Sequence, residues 1–240
     1  MSTTHGHLEI GALIYDGIDQ IDLTGPFEVL SRLPDATFRL YGIDARPACD
    51  IGGLRILPDA AISEAPMLDV LHVPGGFGQQ SLMENVAVLE WIRRQAGSAR
   101  NVLSVCTGAL LCGAAGLLLG RRATTHWSCQ HLLPYFGATP VDARVVVDGN
   151  WVFTAGVTAG IDGALRLAAQ LRGEDVAKAI QLDMVYAPEP PFESGTPETA
   201  PPDILDHARR KYAEIGAQRE RSARKVANRL GIRMDATVAG

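Results

Sequence analysis

The 240-residue chain has no surplus of basic charge: 22 Lys and Arg stand against 27 Asp and Glu, a formal net charge of -5. An acidic chain does not neutralise phosphates or anionic headgroups, so neither nucleic acid nor a membrane surface is expected as a partner. Paired cysteines are also missing. Cys49, Cys106, Cys112 and Cys129 are well separated, with no C-x-x-C pair and no zinc-type His/Cys spacing, which excludes a disulfide framework or structural metal from expectation. No G-K-S/T and no dinucleotide fingerprint occurs among its glycines. No apolar run reaches the ~20 residues of a membrane span. The longest uncharged stretch, residues 101–120, is broken by four glycines and by Ser104, Cys106 and Thr107. The first residues carry no basic leader before an apolar stretch, and the expectation is a cytoplasmic protein with a short disordered start over residues 1–7 and a tail over 231–240. No internal repeat is visible.

What the chain does contain is alternation. Short apolar runs at residues 8–15, 37–43, 68–78 and 101–105 are separated by segments of helical period at 22–33 and 80–96, a pattern that predicts βαβ units, a mostly parallel sheet and one α/β domain over residues 8–230. Pro26 is placed in the first turn of the first helix, and residues 55–57 form a minor strand. Asp148-Gly149-Asn150 between residues 144–147 and 151–155 predicts an antiparallel pair at the sheet. Two buried helices follow at 160–171 and 176–185. Six prolines within residues 188–202 then enforce an irregular loop. Residues 204–230 are helical in period and rich in Arg and Lys, but interspersed acids make this a solvated helix packing on its own domain or on a partner subunit.

Chemistry concentrates where strands end, because ligands of an open parallel sheet bind beyond the carboxyl ends of its strands. Val102, Leu103 and Val105 read as a buried strand, and Thr107-Gly108-Ala109 let a helix begin at once, which puts Cys106 on the turn between them. A helix start offers free N–H groups and a partial positive charge that lower a nearby thiol pKa. On this pattern alone Cys106 is either a nucleophile or a small core residue. Gly75, Gly76, Phe77 and Gly78 end another strand and form either a plain turn or an oxyanion-binding loop. Asp22, between Ile21 and Leu23, is either a helix N-cap or a carboxyl of raised pKa able to move a proton. Thr107 offers a hydroxyl and a helix-start N–H. His126, Trp127 and Val157 are candidates to line the same pocket.

The strings QIDLTGPFEVL, HVPGGFG, SVCTGALLCGAAGLLLGRRATTHW and TAGVTAGIDGALRLAAQL, in this order, resemble the ThiJ/PfpI superfamily, cysteine-elbow relatives of class I glutamine amidotransferases. The resemblance runs from about Leu8 to Leu230 and implies a flavodoxin-like sandwich with helices on both faces. Within the superfamily, D-L-T-G-P, V-C-T-G, A-T-T-H-W and a proline-rich segment at residues 187–192 make the chain similar to the isonitrile hydratases. That resemblance implies a cofactor-free homodimer acting on a small-molecule isonitrile, with Cys106 as nucleophile, Asp22 as its acidic partner and Thr107 binding substrate or orienting the thiol. Superfamily members with chaperone or glyoxalase-like activity carry Glu where this chain has Asp22, and protease-like members carry His where it has Thr107. Both departures count against peptidase activity. The remaining alternatives are glyoxalase or deglycase-like chemistry on α-oxoaldehydes, a sensor domain related to AraC-type regulators, and thiol-based redox sensing.

Overall fold

The structure, a computed structural model, describes residues 6–233; the expected disordered start through residue 5 and the tail from residue 234 lie outside the described residues. The first strand, β1 (Leu8–Ile14), is apolar toward both sides, as a strand covered on both faces must be. β2 (Ala36–Gly42) pairs with it in parallel along its whole length. A small hairpin of β3 (Ala48–Cys49) and β4 (Arg55–Ile56) stands apart, and β5 (Ala60–Ala61) extends the sheet beyond β2. The chain then crosses to the other side of β1, where β6 (Val70–Val73) and β7 (Asn101–Val105) add in parallel. β8 (Arg122–Ala123) and β9 (Thr139–Pro140) pair separately around a 3-10 segment, Trp127–Phe136, which the sequence pattern had not marked. β10 (Val145–Asp148) and β11 (Trp151–Thr154) form the expected antiparallel hairpin across Gly149-Asn150, and β11 docks in parallel on β7. The seven-stranded order is β10-β11-β7-β6-β1-β2-β5. Strand order therefore reverses between β1 and β6, which places the crevice for a ligand at their carboxyl ends.

Helices cover both faces. α1 (Gln20–Leu30), α5 (Ala159–Arg172) and α6 (Glu174–Asp183) close over one core that includes Val29, Leu30, Leu103 and Leu167. α2 (Gln79–Leu82), α3 (Val86–Ser98), α4 (Gly108–Ala114) and α7 (Pro202–Leu230) cover the other, around Trp91, Ile92, Leu111 and Phe136. The single helix expected over residues 80–96 is two, because the Asn85 side chain caps a fresh start by accepting from Val88 N–H at 3.2 Å. α7 ends on Gly231 at φ 67, whose N–H and that of Ile232 close the last turn. Three of its cations, Arg209, Arg224 and Lys225, pair with Asp206, Glu220 and Glu84. Among the described residues no helix is long and apolar enough to cross a membrane.

The start of α1 differs from the sequence pattern in a way that matters. The helix begins at Gln20, two residues early, so Pro26 lies in its interior rather than in its first turn. A proline has no N–H, so the Asp22 carbonyl, four residues back, loses its helical partner. His72 of β6 supplies the replacement: its Nε2 lies 3.0 Å from Asp22 O, while Nδ1 lies 3.3 Å from Leu103 O. Burial holds the imidazole neutral, with its pKa pushed down from 6.5 to about 4, and its one proton serves the shorter contact. Replacing His72 by Phe should orphan that carbonyl and destabilise the fold by about 1–3 kcal/mol at pH 7.5, measured by urea unfolding. The gap should narrow as pH falls from 6.5 toward 4. Over that range the unfolded wild type takes up a proton that the folded core refuses, so wild-type stability is lost and the variant's is not.

Candidate active site

Three loops meet at the carboxyl ends of β1, β6 and β7. Cys106 directly follows β7 with φ 55, left-handed backbone that a residue with a Cβ adopts only when its surroundings impose it. They do so from several directions. Cys106 N–H donates to Thr154 O at 3.0 Å, and its carbonyl accepts from the Thr125 hydroxyl at 2.7 Å. Thr125 belongs to the A-T-T-H-W string, so one use of that string is to hold the turn. The segment after β11 presses on the cysteine as well: a Cβ at Gly156 would collide with Cys106 Cβ and come within 3.0 Å of Sγ. The thiol that results is buried, at 6% exposure, at the foot of α4.

Asp22 faces it from the first turn of α1 with no exposure at all. Gly75 N–H donates to its Oδ2 at 3.1 Å, and the charge of the carboxyl is felt at the Cys106 thiol. Oδ1 has no hydrogen-bond partner among the described residues. Burial, and next the charge of Asp19, push the Asp22 pKa well above the usual carboxylate range. Burial, and next the Asp22 charge, likewise push the Cys106 thiol well above its ordinary value, against the opposing pull of Thr107 N–H. The expectation of a depressed thiol pKa is therefore corrected. One helix-start N–H does not outweigh desolvation and an adjacent carboxylate, and the resting nucleophile is a neutral thiol beside Asp22.

The glycine loop is used differently from either reading of its sequence. Gly75 N–H is committed to Asp22, and Gly76 N–H donates to Thr107 Oγ1 at 3.1 Å, so neither is a free oxyanion donor. Gly75 is small because a Cβ there would lie 2.6 Å from Thr107 N and 2.9 Å from Asp22 Oδ2. Gly78 does not reach the cavity: its N–H donates to Gly17 O at 2.9 Å, and it is pressed against Asp16 O. The Thr107 hydroxyl is engaged with the Gly76 peptide on both sides, so what it presents to the thiol is its N–H.

A cavity of about 230 Å³ opens beside the thiol turn, lined by Gly76, Phe77, Thr107, His126 and Val157. Trp127 lies behind it, lining an adjacent smaller hollow. The His126 ring caps the 3-10 segment, its Nδ1 accepting from Ser128 N–H at 3.3 Å, and burial pushes its pKa down to about 4. Nδ1 also lies 2.8 Å from the Ser128 hydroxyl, which ties that side of the ring to the segment it caps. Five further lining residues were not identified from the sequence: Asp19, Ile51, Lys211, Tyr212 and Arg219. The last three come from α7. Seven-residue spacing put Tyr212 and Arg219 on one stripe of that helix, but nothing in the sequence said which end of the sheet the stripe would cross. Arg219 is 3% exposed, yet its Nη2 donates to Gly76 O at 2.9 Å and its Nη1 to Cys129 Sγ at 3.4 Å, with no carboxylate partner among the described residues.

These charges predict how the thiol responds to loss of its neighbour. In Asp22→Asn the apparent pKa for alkylation of Cys106 by iodoacetamide should fall relative to wild type, because a charge that raises it is gone. A pKa that stays or rises in the variant would contradict the pairing.

Comparison with known proteins agrees with this geometry. The chain matches the DJ-1/PfpI family over residues 9–170, a span that stops short of α7. It is 48% identical over 226 residues to the isonitrile hydratase of Pseudomonas putida, covering 94% of this chain and 99% of that one. The crystal structure of a ThiJ/PfpI family protein from Pseudomonas syringae superposes with a TM-score of 0.89 at 37% identity, covering 91% of each chain. The HTH-type transcriptional regulator GbdR of Pseudomonas aeruginosa is 31% identical over 74% of this chain but only 50% of its own length. A cysteine elbow on a mostly parallel sheet, paired with a buried carboxyl on the first helix and matched over most of the chain, makes this protein a member of the DJ-1/PfpI family.

Proposed function

We propose that this chain is an isonitrile hydratase, converting R–N≡C and water to an N-substituted formamide through a covalent adduct on Cys106. The observation that carries the reading is the buried Cys106–Asp22 pair in a chain 48% identical over nearly its whole length to a protein of that activity. The terminal carbon of an isonitrile is open to attack by a soft sulfur nucleophile. As Cys106 Sγ bonds to it, the thiol proton passes to Asp22 and from there to the same carbon, giving the thioimidate R–N=CH–S-Cys106. Water then adds across the C=N bond, its proton going to nitrogen and its hydroxyl to carbon. The carbon–sulfur bond breaks, the hydroxyl proton returns to the thiol, and R–NH–CHO leaves. The neutral resting thiol suits this sequence, because the proton the carbon needs is already in the pair.

Cys106→Ala should lose all turnover of an aryl isonitrile while retaining the fold by circular dichroism. Asp22→Asn should lower kcat about a hundredfold or more. In the wild type kcat/KM should fall on the acid side through a pKa well above 3.8, since burial raises Asp22 and its protonation removes the acceptor for the thiol proton. An acid limb at the ordinary carboxylate value, or one unchanged in Asp22→Asn, would remove Asp22 from the proton transfer.

We also propose a cytoplasmic homodimer. Four free cysteines, Cys49 exposed among them, fit a reducing compartment. Ile51, Leu54 and Leu57 on and beside the β3–β4 hairpin are about half exposed or more, an apolar surface of the kind a partner copy covers. Light scattering should give about twice the 25.6 kDa chain mass. The likeness to GbdR supports a second reading, a detached sensor domain, which absence of turnover together with tight isonitrile or formamide binding would favour.

A further inference from the structure

The C-terminal helix lines the cavity beside the Cys106 turn through an aromatic residue. Tyr212 is the hub of a ring cluster: Phe77 stacks on it at 5.9 Å between centroids and 24° between planes, His126 meets it edge-on at 5.3 Å, and Trp127 at 5.7 Å. Tyr212, Phe77 and His126 all line the 230 Å³ cavity, while Trp127 backs Tyr212 from the other side. The rings of Phe77, His126 and Tyr212 thus line the cavity together with the charged Asp19, Lys211 and Arg219.

The wall is held in place from below. Seven residues on, and so on the same stripe of α7, Arg219 reaches under the glycine loop, donating to Gly76 O and lying 5.9 Å over the Phe77 ring. One turn further, Ser222 bonds Gln80 of α2 at 3.0 Å and Glu84 at 2.8 Å. These bonds tie helix and loop together beside the Tyr212–Phe77 stack. The family-wide match ends at residue 170, so Tyr212 lies beyond it while Phe77 and His126 lie within it.

We infer that Tyr212 is the specificity-determining residue for the R group, stacking a flat aryl substituent while the isonitrile carbon reaches Cys106. The inference rests on the hydratase reading for its reaction but not for its pocket. Ring stacking and removal of a ring-sized apolar surface from water favour aryl over methyl substrates, and both vanish when the ring does.

The test compares phenyl and methyl isonitrile as substrates of the full-length wild type, Tyr212→Phe, Tyr212→Leu and Tyr212→Ala. The expected result is a drop of about tenfold to a hundredfold in the phenyl-to-methyl ratio of kcat/KM for Tyr212→Ala, smaller for Tyr212→Leu, with the ratio preserved in Tyr212→Phe. Equal losses for both substrates, or an unchanged ratio in Tyr212→Ala, would overturn the assignment. A parallel measurement separates it from the reaction: N-phenylformamide should protect Cys106 from iodoacetamide better than N-methylformamide does, in wild type and Tyr212→Phe but not in Tyr212→Ala. If the wild type hydrates neither isonitrile, the hydratase reading fails, and the protection pattern alone decides whether Tyr212 holds an aryl ligand.

Discussion

A carboxyl group with no exposure to water, set beside a buried thiol, is the constraint around which the rest of this structure is arranged. Ionised and unpaired, such a group would be strongly disfavoured in an apolar core. Asp22 is instead held by donors from different elements. Gly75 N–H takes one carboxyl oxygen, and His72 satisfies the backbone carbonyl that Pro26 leaves open. The D-L-T-G-P string is thus tied to the glycine loop by hydrogen bonds as well as by sequence order.

The same arrangement sets the chemical character of the thiol. A nucleophile that rested as thiolate beside a buried carboxylate would place two negative charges in one apolar pocket. Both groups respond by holding protons more tightly. This suits addition of a thiol across a polarised carbon, where nucleophile and proton are needed at the same atom. It suits redox sensing less well, because oxidation of cysteine proceeds from the thiolate.

Much of the fold was legible because hydrophobic period and turn residues act locally. β1, β2, β7 and the β10–β11 hairpin fall within one or two residues of where alternation and glycine placed them, and the cysteine elbow follows from a strand meeting small helix-starting residues. Where local rules failed, a distant group had intervened. Pro26 reads as a helix start only if no other donor serves Asp22 O, and that donor comes from β6. Gly75 and Gly76 read as free N–H donors only while Asp22 and Thr107 Oγ1 are absent from view.

The sequence by itself determined the elements, the positions of Cys106, Asp22 and Thr107 at strand or helix ends, and the family, since each depends on short-range pattern and ordered strings. Only the tertiary structure decided the protonation of the thiol and the make-up of the pocket wall. Desolvation and Coulomb interaction depend on which groups are brought within a few ångströms, however far apart in the chain. Tyr212 and Arg219 reach the site from α7, more than a hundred residues beyond Cys106. Helical period shows that they share a face, and only packing shows what that face meets.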